Sequence, residues 1–258
     1  MSVKKLLDLS GRVAVVTGGS RGLGLQMAEA LAEMGARLAI TARKADELAA
    51  AKAHLEAQGA EVLTVAGDLS KFDTIPGMVE QILSHYGQVD ILVNNAGTTW
   101  GAPAEEYPLA AWQKVVDLNL TGLFLITQEI GKRSMLPRGY GRIVNIASVA
   151  GLVGQPRQIL STIAYNTSKG GLVNFTRALA AEWGDRGVTV NAICPGFFPS
   201  KMASHTISAG ETMIKMMTPN GRIGGDEDLK GLAVLLASDA SRHITGQAIA
   251  VDGGMTAI

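Results

Sequence analysis

Short runs of β-branched and aliphatic residues alternate with longer amphipathic stretches along most of this 258-residue chain, and that alternation limits its possible folds more than any other feature. Strands are predicted at Arg12–Thr17, Arg37–Thr41, Glu61–Ala66, Ile91–Asn94, Arg142–Ile146, Thr189–Ile193 and Ala248–Val251. Between the early runs, Leu25–Met34 and Ala45–Gln58 have helical patterning. In the second of these, Leu48, Ala51 and Leu55 share one face. Strands and helices taken in turn predict right-handed βαβ units, hence a parallel sheet covered on both faces. The expectation is a single domain over residues 1–258, an α/β doubly wound parallel sheet of about seven strands.

Composition narrows what such a domain can do. Apolar residues make up 47% of the chain, charged residues only 18%, and Lys plus Arg equals Asp plus Glu at 23 each. That balance supplies an ample core and no net field to draw in nucleic acid or an anionic membrane, so neither is expected as a partner. The single cysteine, Cys194, cannot form an internal disulfide, which points to a reducing compartment and a cytoplasmic location. The first residues lack the apolar stretch of a signal peptide, and no run approaches about 18 consecutive apolar residues, so a soluble chain is expected.

One stretch interrupts the rhythm. Residues 197–220 mix Pro199, Gly210 and Pro219 with several methionines, and are expected to form an irregular excursion that covers a pocket as a lid. Asp226-Glu227-Asp228 is then expected to open a helix, where acids complement the helix dipole.

The segment Thr17-Gly18-Gly19-Ser20-Arg21-Gly22-Leu23-Gly24 follows the first long strand and opens a helix. Gly18 permits a tight turn, Gly22 leaves room for a pyrophosphate, and Gly24 lets the helix lie close on the sheet, while the helix N-terminus aims free N–H groups at phosphates. Strand, glycine turn and helix in that order form a dinucleotide-binding context. The spacing, T-G-x-x-x-G-x-G, resembles that of the short-chain dehydrogenase/reductase family. The resemblance continues through Asn94-Asn95-Ala96-Gly97, Asn119 in Asn-Leu-Thr-Gly, Ser148 near the end of the fifth strand, Tyr165-Asn166-Thr167-Ser168-Lys169, and Pro195-Gly196. These motifs occur in order between Leu9 and Gly254.

That resemblance implies a Rossmann-like fold and an oxidoreductase that moves a hydride between a nicotinamide and a carbonyl or secondary alcohol. It implies Asn119, Ser148, Tyr165 and Lys169 as catalytic residues. It implies cofactor contacts from Gly18, Ser20, Arg21, Gly22, Leu23, Gly24, Arg43, Asp68, Leu69, Asn95, Ala96, Gly97, Tyr165, Lys169, Pro195 and Gly196. Tyr165 and Lys169 are four apart and so share a helix face. A phenol titrates near 10, and a neighbouring ammonium together with the positive ring of the oxidised nicotinamide is expected to lower it, making Tyr165 the acid/base with Ser148 orienting the same oxygen. The family likeness gives Lys169 the nicotinamide ribose to hold, and gives Asn119 a proton-relaying water. Tyr165 follows Ser148 by more positions than in compact members, and the extra length around Gln155–Thr162 is expected to shape the pocket rim.

Cofactor choice follows from the end of the second strand. Ala42 stands where an acid would bind the ribose hydroxyls of NAD, Arg43 follows it, and Arg21 lies in the glycine turn. Two guanidiniums favour a 2′-phosphate, so NADP(H) is expected over NAD. The four dispersed histidines offer no metal-ligand spacing, and no metal is expected. Trp100, Ser148, Phe197, Phe198 and Met202 are candidate substrate contacts. Within the family the chain resembles reductases of 3-oxoacyl thioesters and also gluconate 5-dehydrogenases. The apolar lid favours a hydrophobic carbonyl, with a sugar acid or polyol as the alternative. Arg138 and Arg186 are candidate carrier-protein contacts, and a non-catalytic NADP-binding sensor is a further alternative. A homotetramer, with Val251–Ile258 near an interface, is the assembly the resemblance implies.

Overall fold

The computed structural model describes residues 1–154, 160–201 and 203–258. Seven strands form one sheet: β1 (Val13–Thr17), β2 (Arg37–Ala42), β3 (Val62–Ala66), β4 (Ile91–Asn94), β5 (Gly141–Ile146), β6 (Val188–Pro195) and β7 (Ala248–Val251). Their order is β3-β2-β1-β4-β5-β6-β7, and every neighbouring pair is parallel. All seven expected strands are present, with ends within about two residues of expectation. The helices are α1 (Val3–Leu7), α2 (Gly22–Glu33), α3 (Ala45–Glu56), α4 (Ile75–Tyr86), α5 (Leu109–Arg138, with π turns at Asp117–Gly122 and Gly131–Met135), α6 (Ile163–Trp183), α7 (Ser204–Met216) and α8 (Lys230–Ala237).

Successive strand residues point to opposite faces, so each strand feeds two cores. Ala14 and Val16 of β1 pack with Leu38 and Ile40 of β2 against α2, α3 and α8. Val13 and Val15 pack with Leu92 and Ile143 against α4, α5 and α6. The chain leaves β3 at one edge and re-enters the sheet beside β1 as β4. This reversal opens a crevice at the carboxyl ends of β1 and β4, the place where open α/β sheets bind ligands.

Three expectations change. Residues 197–220 are not irregular throughout: they hold α7, kinked at Gly210, whose backbone is non-helical. Asp226-Glu227-Asp228 does not open α8. Asp228 accepts from the Gly225 N–H at 2.7 Å and from Arg222 Nη2 at 2.7 Å, so the acids form a turn and the helix begins at Lys230. One segment, Leu109–Arg138, is long and apolar enough to cross a membrane by length and composition, with a mean hydropathy of 1.2 over 18 residues. Polar residues punctuate it, so it contains no long unbroken apolar run. In the fold it packs Val115, Ile126, Ile130 and Met135, all buried, and Ile126, Ile130 and Met135 belong to the core between α4, α6 and the sheet.

Candidate active site

A cleft of about 740 Å³ runs along the carboxyl ends of the strands. Its first wall is the glycine turn. Gly22 has φ +53°, and a Cβ there would point into open space within the cleft wall. A Cβ on Gly24 would lie 2.3 Å from the Gly18 carbonyl oxygen, so only glycine permits that approach. The turn is braced from β4. The Asn95 and Ala96 N–H groups each donate to Thr17 Oγ1 at 3.0 Å, and Asn95 Nδ2 donates to the Thr17 and Gly18 carbonyls at 3.0 and 3.1 Å. Asn95 thus acts on the turn as well as lining the cleft.

Of the expected cofactor residues, Gly18, Ser20, Arg21, Gly22, Leu23, Arg43, Asp68, Leu69, Asn95, Ala96, Gly97, Tyr165, Lys169, Pro195 and Gly196 line this cleft, and Gly24 lies behind it as a packing residue. A groove of that length, walled by glycines at one end and by Lys169 and Tyr165 at the other, fits a dinucleotide. At the adenosine end Asp68 accepts from Ser70 N and Oγ at 3.0 and 2.7 Å. Burial raises the Asp68 carboxyl, but the Ser70 bonds and the charges of Arg43 and Lys71 outweigh it, holding the group below its ordinary range.

The catalytic candidates meet at the other end. Ser148, two residues past β5, caps a short 3-10 turn (Val149–Gly151), its Oγ accepting from the Ala150 N–H at 3.1 Å. That turn presses on α6 so closely that a Cβ on Gly151 would sit 2.5 Å from the Lys169 carbonyl carbon. The contact brings Ser148 to Tyr165, where the Ser148 side chain favours the ionised phenol. Lys169 Nζ is 5.6 Å from the Tyr165 ring centre and donates to the Ile146 carbonyl at 2.6 Å.

The protonation states differ from expectation. Burial pushes the Tyr165 phenol above its usual value, and the Ser148 side chain opposes this. Burial also pulls the Lys169 ammonium down to about 8. In the protein alone desolvation of the phenolate sets the direction, and the opposing influence is the Ser148 side chain rather than Lys169. Asn119, fully buried in the first π turn of α5, accepts from the Thr98 N–H at 2.8 Å and donates to the Thr98 carbonyl and Ser168 Oγ at 2.9 and 3.0 Å. Its amide ties the loop after β4 to α6 rather than facing the cleft.

The substrate candidates divide. Phe197 and Phe198 line the cleft, although Phe198 is largely a core side chain seated against Gly224. Trp100 does not line it: 44% exposed, it lies beside Lys114, whose Nζ is 5.6 Å from its ring centre, and Tyr107 donates to its carbonyl at 3.0 Å. Met202 and residues 155–159 fall outside the described residues. Arg138, a candidate carrier-protein contact, is engaged by the buried Asp90 and by the Val89 carbonyl. Sequence reasoning did not name Thr99, Lys44 and Glu47, which line the cleft wall, nor single out Leu160 and Lys201 within the expected rim and lid segments. The signal for Lys44 and Glu47 was their place beside Arg43; nothing local marked Thr99. Among the described residues no group of side chains could hold a metal ion.

A short chain dehydrogenase family model matches residues 12–210. The chain is 38% identical to gluconate 5-dehydrogenase of Gluconobacter oxydans over 258 residues, covering 99% of both chains. It is 39% identical to a 3-oxoacyl-[acyl-carrier-protein] reductase of Synechocystis over 249 residues, 96% of this chain and 98% of the relative. Among solved structures, a gluconate 5-dehydrogenase from Burkholderia cenocepacia in complex with NADP and tartrate superposes with a TM-score of 0.94 at 31% identity over the whole of both chains. With its parallel seven-stranded sheet, glycine turn and Ser148–Tyr165–Lys169 cluster, this chain belongs to the short chain dehydrogenase family of oxidoreductases.

Proposed function

We propose that the protein interconverts a ketone and a secondary alcohol with NADP(H), using Tyr165 as proton donor and acceptor. The observation that carries this reading is the meeting of Ser148, Tyr165 and Lys169 at one end of a cleft whose other end is walled by the glycine turn, Arg21 and Arg43. When bound, the nicotinamide gives or takes the hydride. During reduction Tyr165, kept protonated by burial, gives its proton to the carbonyl oxygen, and Ser148 donates a hydrogen bond to the same oxygen. Lys169 keeps its ammonium beside the phenol and offers its remaining N–H bonds to the cofactor ribose. Asn119 holds α5, the loop after β4 and α6 in register around them.

Arg21 and Arg43, with Ala42 in place of an acid, support NADP over NAD. Leu160, Val149 and Phe197 give the substrate end an apolar wall suited to a hydrophobic carbonyl such as a 3-oxoacyl group. A polyhydroxylated sugar acid is the second reading, favoured by Thr99, whose Oγ1 is buried on the cleft wall without a hydrogen-bond partner. Arg138, engaged by Asp90 and the Val89 carbonyl, lends no support to a carrier protein. A non-catalytic sensor finds none either, since all four expected catalytic residues are present. The 197–220 segment is read as the lid, with Ala203 and Thr206 reaching the cleft wall. A homotetramer is supported by Phe124 of α5, 43% exposed and edge-on to Phe175 of α6, with Val251–Ile258 assigned to an interface by family resemblance. The free, buried Cys194 suits the cytoplasm.

The test is consumption of NADPH and NADH with 3-oxoacyl thioesters, hydrophobic diketones and keto sugar acids. Turnover of at least one class, faster with NADPH, is expected. Failure with every class, or a preference for NADH, overturns the reading.

A further inference from the structure

Glu47 lies in the first turn of α3, where an acid ordinarily complements the helix dipole. Asp46 stands in the same turn and serves that purpose without Glu47. Glu47 instead reaches across to the glycine turn. Its Oε1 lies 3.0 Å from Arg21 Nη1 and 3.2 Å from Lys44 Nζ. The Lys44 hydrogen bond and the charges of Arg21, Lys44 and Lys201 hold its carboxyl below the usual range. Lys201 belongs to the segment after β6, far along the chain, and lines the same cleft. Three cations from three separate segments therefore converge on one carboxylate, at the end of the cleft where Arg43 also stands.

We propose that Glu47 is a built-in competitor of the cofactor's 2′-phosphate, holding the cations that the phosphate must take over and so setting how strongly the protein distinguishes NADPH from NADH. This rests on the NADP reading above. A phosphate dianion attracts Arg21, Lys44 and Lys201 more strongly than a carboxylate does, but it can recruit Arg21 and Lys44 only by breaking their ion pairs with Glu47, and it must then bear the repulsion of that charge. NADH carries no 2′-phosphate and meets no such exchange. The Arg21 and Lys44 side chains are 50% and 59% exposed, so their mutual repulsion once Glu47 is neutralised is screened, and the loss of competition dominates.

The experiment measures binding of 2′,5′-ADP, 5′-AMP, NADPH and NADH to the intact protein by calorimetry or nicotinamide fluorescence. Wild type, Glu47→Gln, Lys201→Ala and Arg43→Ala are compared, with thermal melts confirming that each is folded. In Glu47→Gln, 2′,5′-ADP and NADPH should bind about five- to tenfold more tightly, while 5′-AMP and NADH move less than about twofold. Lys201→Ala should weaken 2′,5′-ADP and leave 5′-AMP unchanged. An unchanged or weakened affinity for 2′,5′-ADP in Glu47→Gln, with Arg43→Ala still costing 2′,5′-ADP its advantage over 5′-AMP, overturns this inference alone. A wild type that binds 2′,5′-ADP no better than 5′-AMP overturns both this inference and the NADP reading.

Discussion

At one end of the cleft Lys169 is only 5% exposed and has a backbone carbonyl for its main partner; at the other, the Arg21 and Lys44 side chains are 50% and 59% exposed and share a carboxylate. The first end works by removing water, which moves the protonation of Tyr165 and Lys169 in opposite directions. The second works by placing like charges in water, where each interaction is weak and screened but several together recognise a dianion. On the reading proposed above, chemistry depends on burial, and cofactor choice on a balance of exposed charges. The buried end should be intolerant of change, and the exposed end adjustable in steps.

The sharpest break of that contrast is at Tyr165. Tyr165→Phe removes the proton donor and little volume, and turnover should fall about 10²-fold or more while NADPH still binds. Near-normal turnover would remove Tyr165 from the chemistry.

Next in size is the exposed end. Arg43→Ala should weaken NADPH about tenfold, the loss of one charge-assisted bond worth about 1.5–3 kcal/mol, and leave NADH almost unchanged. Adding Ala42→Asp should carry the NADPH/NADH ratio of kcat/KM further, toward inversion, with the two effects not strictly additive. An unaltered ratio in the double variant would mean that other residues read the adenosine end.

The pH dependence comes third. Oxidation of the alcohol needs the phenolate, and burial raises the Tyr165 phenol above its ordinary value. Oxidation should therefore rise with pH, by at most about tenfold per unit, well into the alkaline range. Reduction uses the protonated phenol and should stay level through neutral pH. A flat oxidation profile, with chemistry rate-limiting, would assign the base elsewhere.

The smallest effect is on stability. Lys169 is pulled down to about 8 from 10.5, so between those pH values the unfolded chain binds more protons than the folded one. Stability from this group is lowest below about 8 and rises as pH climbs toward 10.5. Lys169→Met, which keeps the stem's volume, should match or exceed the wild-type Tm at neutral pH, with the gap closing in alkali. A variant less stable at neutral pH than at alkaline pH, relative to wild type, would show that the buried ammonium is no burden.

The parts of the molecule that could be read from the sequence are those governed by local geometry. The strands appear as β-branched runs, the glycine turn appears because Gly22 takes a positive φ and only glycine fits at Gly24, and the shared face of Tyr165 and Lys169 follows from helical spacing. What escaped depended on contacts distant in the chain or on burial. α7 was hidden because Gly210 interrupts its pattern. Asp226-Glu227-Asp228 looked like a helix start until Arg222 and the Gly225 N–H claimed Asp228. Trp100 was assigned to the pocket from its position after Gly97, but Tyr107 and Lys114 keep it outside. The phenol's proton affinity was misjudged because spacing shows which groups face each other, not how much water surrounds them.

The contact at Gly151 turns the absence of a methyl group into a measuring gauge. The hydroxyl from the end of β5 and the phenol and amine from α6 are brought within range by two stretches of main chain lying directly against each other. No flexible side chain lies between them to absorb an error, so a small lift of the helix carries Tyr165 and Lys169 together away from Ser148. On the reading proposed above, competence follows from how that helix is seated, and displacements too small to unfold anything should lower it.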